Sequence, residues 1–600
     1  MLKKIFLPTI FLILIYGFWV SPDFKEIAAG VSVFLFGMLS LEEGFKAFTG
    51  GALEKLLRKT TDKLWKSVAF GVVSTTVMQS SSLVSVITIS FLSAGLIGLA
   101  AGIGIIFGAN LGTTTGAWLV AGFGLKVKIS AYAMPMLVFG IILIFQKAKS
   151  LKGIGYILAG LGFLFLGIHY MKEGFEAFKD SINLAEYAVS GYGGVFLFAT
   201  IGILSTVVMQ SSHATLVLTI TALAAGQITY ENALGLAIGA NVGTTITAII
   251  GSMSANEQGK RLAGAHLIFN MTTGLIAIAF IFQLMGIVDR VSAGVGIAAD
   301  DYTLKLAVFH TIFNLIGVSV MLPFTNPMVN FLESYIKAKP VDISEPRYLD
   351  DSALDFPDTA VEALRKETLH AFDNSVDIIT RGLGVPREAI SPDTDLEAYL
   401  KAQKKPLTCN IDDSYRRKVK TLYNAIIAFV SKASFTWEMD QSEALHWFRN
   451  ATRDMVQALK DIKHMQDNMQ RYLVSENEDI RAEYNAMRLE IGLTLQELEK
   501  IREYDDPEHA ATTLQALKLS LHDTDTEFND VSVRMISKGS ITPEMGTSLM
   551  NDSAYTHDVI RNLIEVGETI FVARAQDVSE EQRKILLGED EMSDNLDEVI

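Results

Sequence analysis

The chain holds one cysteine in 600 residues, Cys409. That excludes an intramolecular disulfide and argues against a cysteine-based metal site; it fits a reducing compartment. A second scarcity is local. Between Ser67 and Leu125 there is no charged residue at all. Basic excess is missing too, with 51 Lys and Arg against 67 Asp and Glu. The imbalance is not uniform: residues 1–340 carry 22 basic and 16 acidic residues, and the remainder 29 and 51. An acidic second half argues against nucleic-acid binding and against docking on anionic lipid. Apolar runs of roughly 20 residues, long enough to span a bilayer, fill the first half and stop near residue 340.

What is present in the charge-free stretch is neutral and polar. Ser74-Thr-Thr-Val-Met-Gln-Ser-Ser-Ser82 is followed by an apolar run and then Gly108-Ala-Asn-Leu-Gly-Thr-Thr114. The same text returns as Ser205-Thr-Val-Val-Met-Gln-Ser-Ser-His213 and Gly239-Ala-Asn-Val-Gly-Thr-Thr245, at a constant offset of 131 residues. This is an internal duplication. Polar atoms at bilayer depth need partners, and a permeating substrate is a natural one.

Apolar segments fall near 5–20, 27–41, 67–78, 83–96, 98–121, 129–146, 153–171, 194–209, 214–227, 232–251, 262–286 and 304–323. The first reads as an uncleaved span, because no small-x-small cleavage site follows it. Two pairs of short segments, 67–78 with 83–96 and 194–209 with 214–227, are each interrupted by a Gln-Ser-Ser motif. Interrupted segments at matching places in two halves point to a transporter site. They predict two re-entrant hairpins with the motifs at the tips, the alternative being kinked full spans. Eight spans remain. The positive-inside bias of Lys3, Lys4, the 46–66 lysines and arginine, Lys147, Lys149, Lys152, Lys260 and Arg261 puts both termini in the cytoplasm, with Lys126 and Lys128 as a misfit outside. The hairpins then enter from opposite faces. Upstream, Glu43-Gly-Phe45 matches Glu173-Gly-Phe175, again on opposite sides.

These motifs resemble those of the type II sodium–phosphate cotransporter family, over roughly residues 30–320. The resemblance implies that Gln79, Ser80, Ser81, Ser82, Gln210, Ser211, Ser212 and His213 bind the substrate, inorganic phosphate. It also implies sodium as the coupling ion, with no other cofactor. His213 departs from the serine the family often keeps there. The chemistry of the residues agrees: half-helix N-termini, hydroxyls and amides suit an anion. Asn and Thr oxygens suit a small hard cation, which assigns Asn110, Thr113, Thr114, Asn241, Thr244 and Thr245 to sodium. His266 with Asn270, and His310 with Asn314, lie four apart on one helical face each. They read as interhelical hydrogen-bonding pairs, the alternative being an ion relay.

From residue 357 onward the pattern is that of a soluble helical bundle. Helices are predicted near 357–383, 412–438, 441–473, 476–503, 507–536 and 543–575, with a loop over 384–407. Phe448, Met455, Leu459, Ile462 and Met469 form one apolar stripe. Capping boxes are read at Asp440 with Glu443, Ser475 with Glu478 and Ser579 with Gln582, and Thr542-Pro543 as N-cap and N1. The tail resembles a PhoU-like domain. Asp461, His464 and Asp467 could touch a metal, but a solvated charged face is the preferred reading.

The fold class expected is therefore all-α: a polytopic membrane protein with inverted repeats and two re-entrant hairpins, then a cytoplasmic helical bundle. Domains are expected at 1–335 and 357–600, joined by a linker over 336–356. The function expected is sodium-coupled phosphate transport at a bacterial cell membrane, with the lipid bilayer as surroundings, no nucleic-acid partner, and a homodimer as one admissible state. The alternatives are a membrane phosphate sensor or a carrier of another small anion. An enzyme is not expected, since no serine has a His–Asp pair at usable spacing.

Overall fold

A computed structural model describes residues 2–49, 61–125, 130–181, 184–253, 255–337, 342–403, 409–436, 439–503 and 507–572. Lys126, Lys128 and the Ser579–Gln582 box lie outside these residues, as do the side chains of Asp440 and Glu443. The chain divides into two compact units. One comprises Met1–Lys339 with Asp350–Thr359; the other comprises Pro340–Leu349 with Ala360–Ile600.

Every regular element among the first unit's described residues is a helix. In chain order its helices are α1 (Leu2–Val20), α2 (Pro22–Thr49), α3 (Leu64–Met78), α4 (Ser81–Ser93), α5 (Leu99–Gly112), α6 (Thr114–Trp118), α7 (Ser130–Ile144), α8 (Lys149–Ser181), α9 (Gly191–Met209), α10 (Ser212–Ala224), α11 (Tyr230–Ser252), α12 (Glu257–Ala279), α13 (Ile281–Gly294), α14 (Tyr302–Met321) and α15 (Thr325–Tyr335). Among the described residues seven stretches are long and apolar enough to cross a membrane: Pro22–Phe45, Leu99–Gly124, Lys149–Phe178, Gly191–Met209, Tyr230–Ser252, Glu257–Ala279 and Tyr302–Tyr335. This set differs from the eight predicted spans. Helices α1 and α7 hold the shorter described apolar stretches Pro8–Val20 and Ala131–Ile144, and α9 adds a bilayer-length one. The reason for α9 is at its start: Gly191-Tyr-Gly-Gly continues the apolar pattern backward, giving 19 residues, about 28 Å at the usual rise.

Both interruptions at Gln-Ser-Ser are real. Gln79 and Gln210 have φ of 53° and 55° and are the only non-glycine residues with positive φ among those described. Each ends one helix in the left-handed conformation, and the following serine caps the next: Ser80 Oγ accepts from Leu83 N, and Ser211 Oγ from Ala214 N. Such a cap is worth about 1 kcal/mol. In the second copy, Thr206 Oγ1 donates to Thr215 Oγ1 at 2.8 Å across the break. Nine residues along a kinked but continuous helix would put them about 13 Å apart. The chain therefore doubles back, and the kinked-span alternative fails there.

The duplication is repeated in the packing. A Cβ on Gly71 would lie 2.1 Å from Ile105 O, and one on Gly108 2.0 Å from Val68 O. At their counterparts, Gly202 would meet Leu236 O at 2.4 Å and Gly239 would meet Ala199 O at 1.9 Å. So α3 against α5 and α9 against α11 are backbone-to-backbone contacts that tolerate no side chain, at positions 131 residues apart. The upstream helices complete the relation. Glycines at seven-residue spacing on α2 (Gly30, Gly37, Gly44) face those on α8: Gly30 opposes Gly167, Gly37 opposes Gly160 and Gly44 opposes Gly153. The equivalent helices of the two copies thus cross antiparallel, as copies related by an axis in the membrane plane must.

The second unit is a bundle of α16 (Pro357–Gly382), α17 (Leu396–Ala402), α18 (Ile411–Lys418), α19 (Lys420–Thr436), α20 (Met439–Tyr472), α21 (Glu478–Glu503), α22 (Pro507–Ser537) and α23 (Pro543–Gly567). All five residues of the predicted stripe on α20 are at most 2% exposed. Thr542 caps α23 through Met545 N, with Pro543 in the first turn. The Ser475 box is corrected: Asn477 Oδ1 caps α21, accepting from Asp479 N and Ile480 N, while Ser475 Oγ accepts from Asn477 N. Asn is as good a cap as Ser, and it stands nearer the first helical residue. The loop predicted over 384–407 contains a short helix, α17, whose Leu396 and Leu400 are buried.

Candidate functional site

The two tips meet at one cavity. Its volume is about 240 Å³, and its wall consists of Gln79, Ser80, Ser81, Ser82 and Thr113 from the first copy and Met209, Gln210, Ser211, Ser212 and His213 from the second. Leu35, Met38, Leu39 and Glu42 of α2 complete it. All eight residues expected at the substrate come together, from segments 131 residues apart. Roughly eight waters would fill such a volume at ~30 Å³ each, so a small oxyanion with its counter-ions is of suitable size.

The wall offers donors without cationic side chains among its described residues. Helices α4 and α10 both begin in it, and the first N–H groups of a helix have no partner within the helix. With the positive ends of two helix dipoles, they favour an anion. Serine hydroxyls and glutamine amides add to these. The tips are also bonded to each other: His213 Nδ1 donates to the Gln79 carbonyl at 3.3 Å. A carbonyl only accepts, so the proton sits on Nδ1, and a neutral ring then leaves Nε2 as an acceptor. Nε2 is buried without a hydrogen-bond partner. Gly116 makes room for the ring, since a Cβ there would lie 2.4 Å from His213 Cε1. Phe34 packs edge-on against the same ring, at 5.6 Å between centroids. Gln79 is held further by Thr115, whose Oγ1 accepts from its Nε2 at 3.2 Å.

The six residues assigned to sodium are dispersed. Thr113 lines the cavity. Its hydroxyl proton goes to Ala109 O at 2.9 Å, which leaves its oxygen lone pairs available. Thr244 and Thr245 likewise donate to carbonyls of their own helix, and Thr114 to Leu111 O at the end of α5. Asn110 is buried and donates to Ile106 O. Asn241 joins a network with the second His–Asn pair: its Nδ2 donates to Asn314 Oδ1 at 2.8 Å, and His310 Nε2 lies 3.1 Å from its Oδ1. Asn314 in turn donates to His310 O. The interhelical reading of that pair is therefore the observed one. The first pair differs: Asn270 donates to His266 O at 3.3 Å, while Asn270 Oδ1 and His266 Nδ1 are buried without partners.

One polar residue of the wall escaped sequence reasoning, along with its apolar lining. Glu42 is the only carboxylate among the described residues that line it. The signal was available, since Leu35, Met38, Leu39 and Glu42 follow the i, i+3, i+4, i+7 spacing of one helical face.

In the bundle, the candidate metal face dissolves. Asp461 is 2% exposed, whereas His464 and Asp467 are exposed. Gln457 donates to Asp461 Oδ1, and burial pushes that carboxyl above the usual range. His464 stacks on Tyr555. Among the described residues no group of three or more His, Cys, Asp or Glu side chains is placed to hold a metal.

The Na+/Pi-cotransporter family model matches residues 33–173 and 191–321, the two copies and the helices around them. Over those residues, all in its first unit, the chain is similar to that family. Its members are transporters, not enzymes. The "Putative inorganic phosphate export protein YjbB" of Escherichia coli K12 is 28% identical over 431 residues, covering 70% of this chain and 73% of its own length. The protein of the same name from Salmonella typhimurium is 28% identical over 372 residues, 60% of this chain and 66% of its own length. The "Uncharacterized protein YqeW" of Bacillus subtilis is 27% identical over 316 residues, 51% of this chain and 96% of its own length. No solved structure matches the chain. The family match includes both tips and the α2 stripe, so the cavity lies wholly within it.

Proposed function

We propose that this protein carries inorganic phosphate across the bacterial cell membrane, coupled to sodium. The observation that carries the reading is the single cavity walled by both Gln-Ser-Ser tips, with two helix N-termini and no lysine or arginine among its described lining residues. A divalent oxyanion there depends on cations travelling with it, because the wall supplies partial charges only. Gln79, Ser80–Ser82, Gln210, Ser211, Ser212 and His213 hold phosphate. Asn110, Thr113, Thr114, Asn241, Thr244 and Thr245 serve sodium, with Thr113 the one nearest the anion. Alternating access follows from the antiparallel copies. Both termini face the cytoplasm. The tail is a PhoU-like domain that biases one access state, a task that needs a few kcal/mol at most.

The test is flux of labelled phosphate in proteoliposomes with and without a sodium gradient. Sodium-dependent flux is expected; phosphate binding without flux would make the protein a sensor instead. A chain ended after Thr359, which keeps the whole first unit, should insert and still show the flux, with its response to phosphate altered. Loss of both binding and flux in that inserted chain would place part of the site in the tail.

A further inference from the structure

Helix α4 keeps different company at its two ends. Its first turn, with Ser81 and Ser82, lines the cavity. The helix has 13 residues, about 20 Å at the usual rise, and ends at Ser93. There Asn256, the N-cap of α12, gathers three segments. Its Oδ1 accepts from Gln258 N and Gly259 N, its Nδ2 donates to Ser93 O at 2.9 Å, and its own N–H donates to Asp350 Oδ2 at 3.0 Å. A Cβ on Gly259 would stand 3.0 Å from Ile89 Cγ2 and 3.1 Å from Ser93 Oγ, so α4 and α12 touch closely at this foot. Asp350 opens a segment that returns to the first unit after its last span. It makes a short 3₁₀ turn over Asp351–Asp355, with Ala353 fully buried. Phe356 then packs against the apolar core that holds Leu92 of α4, Phe107 of α5 and Leu262 of α12.

The chain changes unit twice here. Residues 340–349 belong to the unit of the bundle, 350–359 to the first unit, and the bundle resumes at Ala360. Within the bundle's unit, Glu367 Oε2 accepts from Arg347 N and Tyr348 N, both at 2.8 Å. One residue, Leu349, separates that grip from Asp350. A single residue contributes only two soft dihedrals, so a backbone held on both sides of it passes a displacement on rather than absorbing it.

We propose that residues 350–356 form a strap through which the tail bundle sets the position of the first hairpin, and so the access state of the Gln79 tip. The route runs from Glu367 through residues 347–350 to Asn256, Ser93 and the length of α4. Its consequence for transport rests on the functional reading above, and its mechanical part does not. The test uses the full chain, as wild type, Asp350→Ala, Glu367→Ala and the double variant. Hydrogen exchange of α4 is measured beside the phosphate concentration that gives half-maximal flux in proteoliposomes. Asp350→Ala should speed exchange in the last turn of α4 by about tenfold and move the half-maximal concentration by about threefold or more. Glu367→Ala should move both in the same direction. The double variant should match Asp350→Ala, because a released strap leaves the bundle nothing to act through. Additive effects overturn the inference, as does unchanged α4 exchange in Asp350→Ala. Coupled exchange with an unmoved half-maximal concentration overturns the regulatory role. If Glu367→Ala loosens the bundle itself, seen as fast exchange of α20 and α23, Asn374→Ala takes its place in the cycle, since Asn374 Nδ2 holds Ile343 O at 2.7 Å. A wild type without phosphate flux removes the functional reading, and the exchange cycle alone then decides the strap.

Discussion

Gln79 and Gln210 share one backbone conformation and one position in the repeat, yet their amides are held differently. Both donate to a carbonyl three residues back, Thr76 O and Val207 O. Only Gln79 has a second partner, Thr115; the counterpart of Thr115 is Ile246, which has no acceptor to offer. Gln79 is half-buried, and Gln210 is exposed. Behind the tips the asymmetry is reversed. Thr206 is bonded across its hairpin to Thr215, whereas Thr75, its counterpart, faces Val84 in the equivalent place and its hydroxyl is buried without a partner. Asn241 is bonded to α14, and Asn110 only to its own helix. One copy thus has a pinned tip on a loosely bonded base, and the other a free tip on a cross-linked base. Duplication kept the backbone contacts, which allow no variation, and let the side-chain bonds diverge.

The largest expected effect lies in what the copies share. Gly108→Ala and Gly239→Ala each drive a methyl group to within 2.0 Å of a carbonyl oxygen. Each should destabilise by about 3 kcal/mol or more and abolish recovery of monodisperse protein from detergent. Gly98→Ala, where nothing lies within 4 Å, should leave recovery unchanged. If one of the two clashing variants is tolerated, the packing is not equivalent.

The next effect is functional. Alanine at Gln79 or at Gln210 should abolish sodium-driven phosphate flux while membrane levels stay near normal, because each glutamine already bears the steric cost of the left-handed conformation and alanine adds none. Flux assays on both single variants check this. Near-normal flux in both would mean the tips do not jointly form the site.

A smaller effect sharpens the difference between the bases. Asn241→Ala leaves Asn314 and His310 without their buried partner and should cost about 2–3 kcal/mol. Asn110→Ala removes a bond within one helix and should cost about 1 kcal/mol. Thermal unfolding in detergent separates them; equal losses would mean Asn110 has a partner of comparable weight.

Much of this was legible in the sequence. The constant offset pointed to the hairpins and to all eight tip residues of the cavity, because a duplicated neutral polar motif at bilayer depth must find partners, and one shared site supplies them to both copies. The glycines of α2 and α8 at seven-residue spacing were equally readable, and they carry the antiparallel crossing. What stayed hidden depended on where helices turn their faces. Thr113 reaches the cavity, and its neighbour Thr114 does not. Asn241 looks equivalent to Asn110, but its partner is chosen by α14. The α9 helix reads short from its strongest apolar run, yet the glycines before it extend it. Asn477 displaced Ser475 as a cap by standing two residues nearer the helix.

Alternating access requires the two tips to reach one cavity from opposite faces, and cysteine labelling tests that most directly. With Cys409 replaced by serine, a cysteine at Asp62, before α3, and another at Ser190, before α9, both stand at exposed positions. In oriented vesicles an impermeant thiol reagent should label Asp62→Cys only from the cytoplasmic side and Ser190→Cys only from the other. Labelling of both from the same side would contradict the inverted repeat, and with it the alternating access built on the cavity.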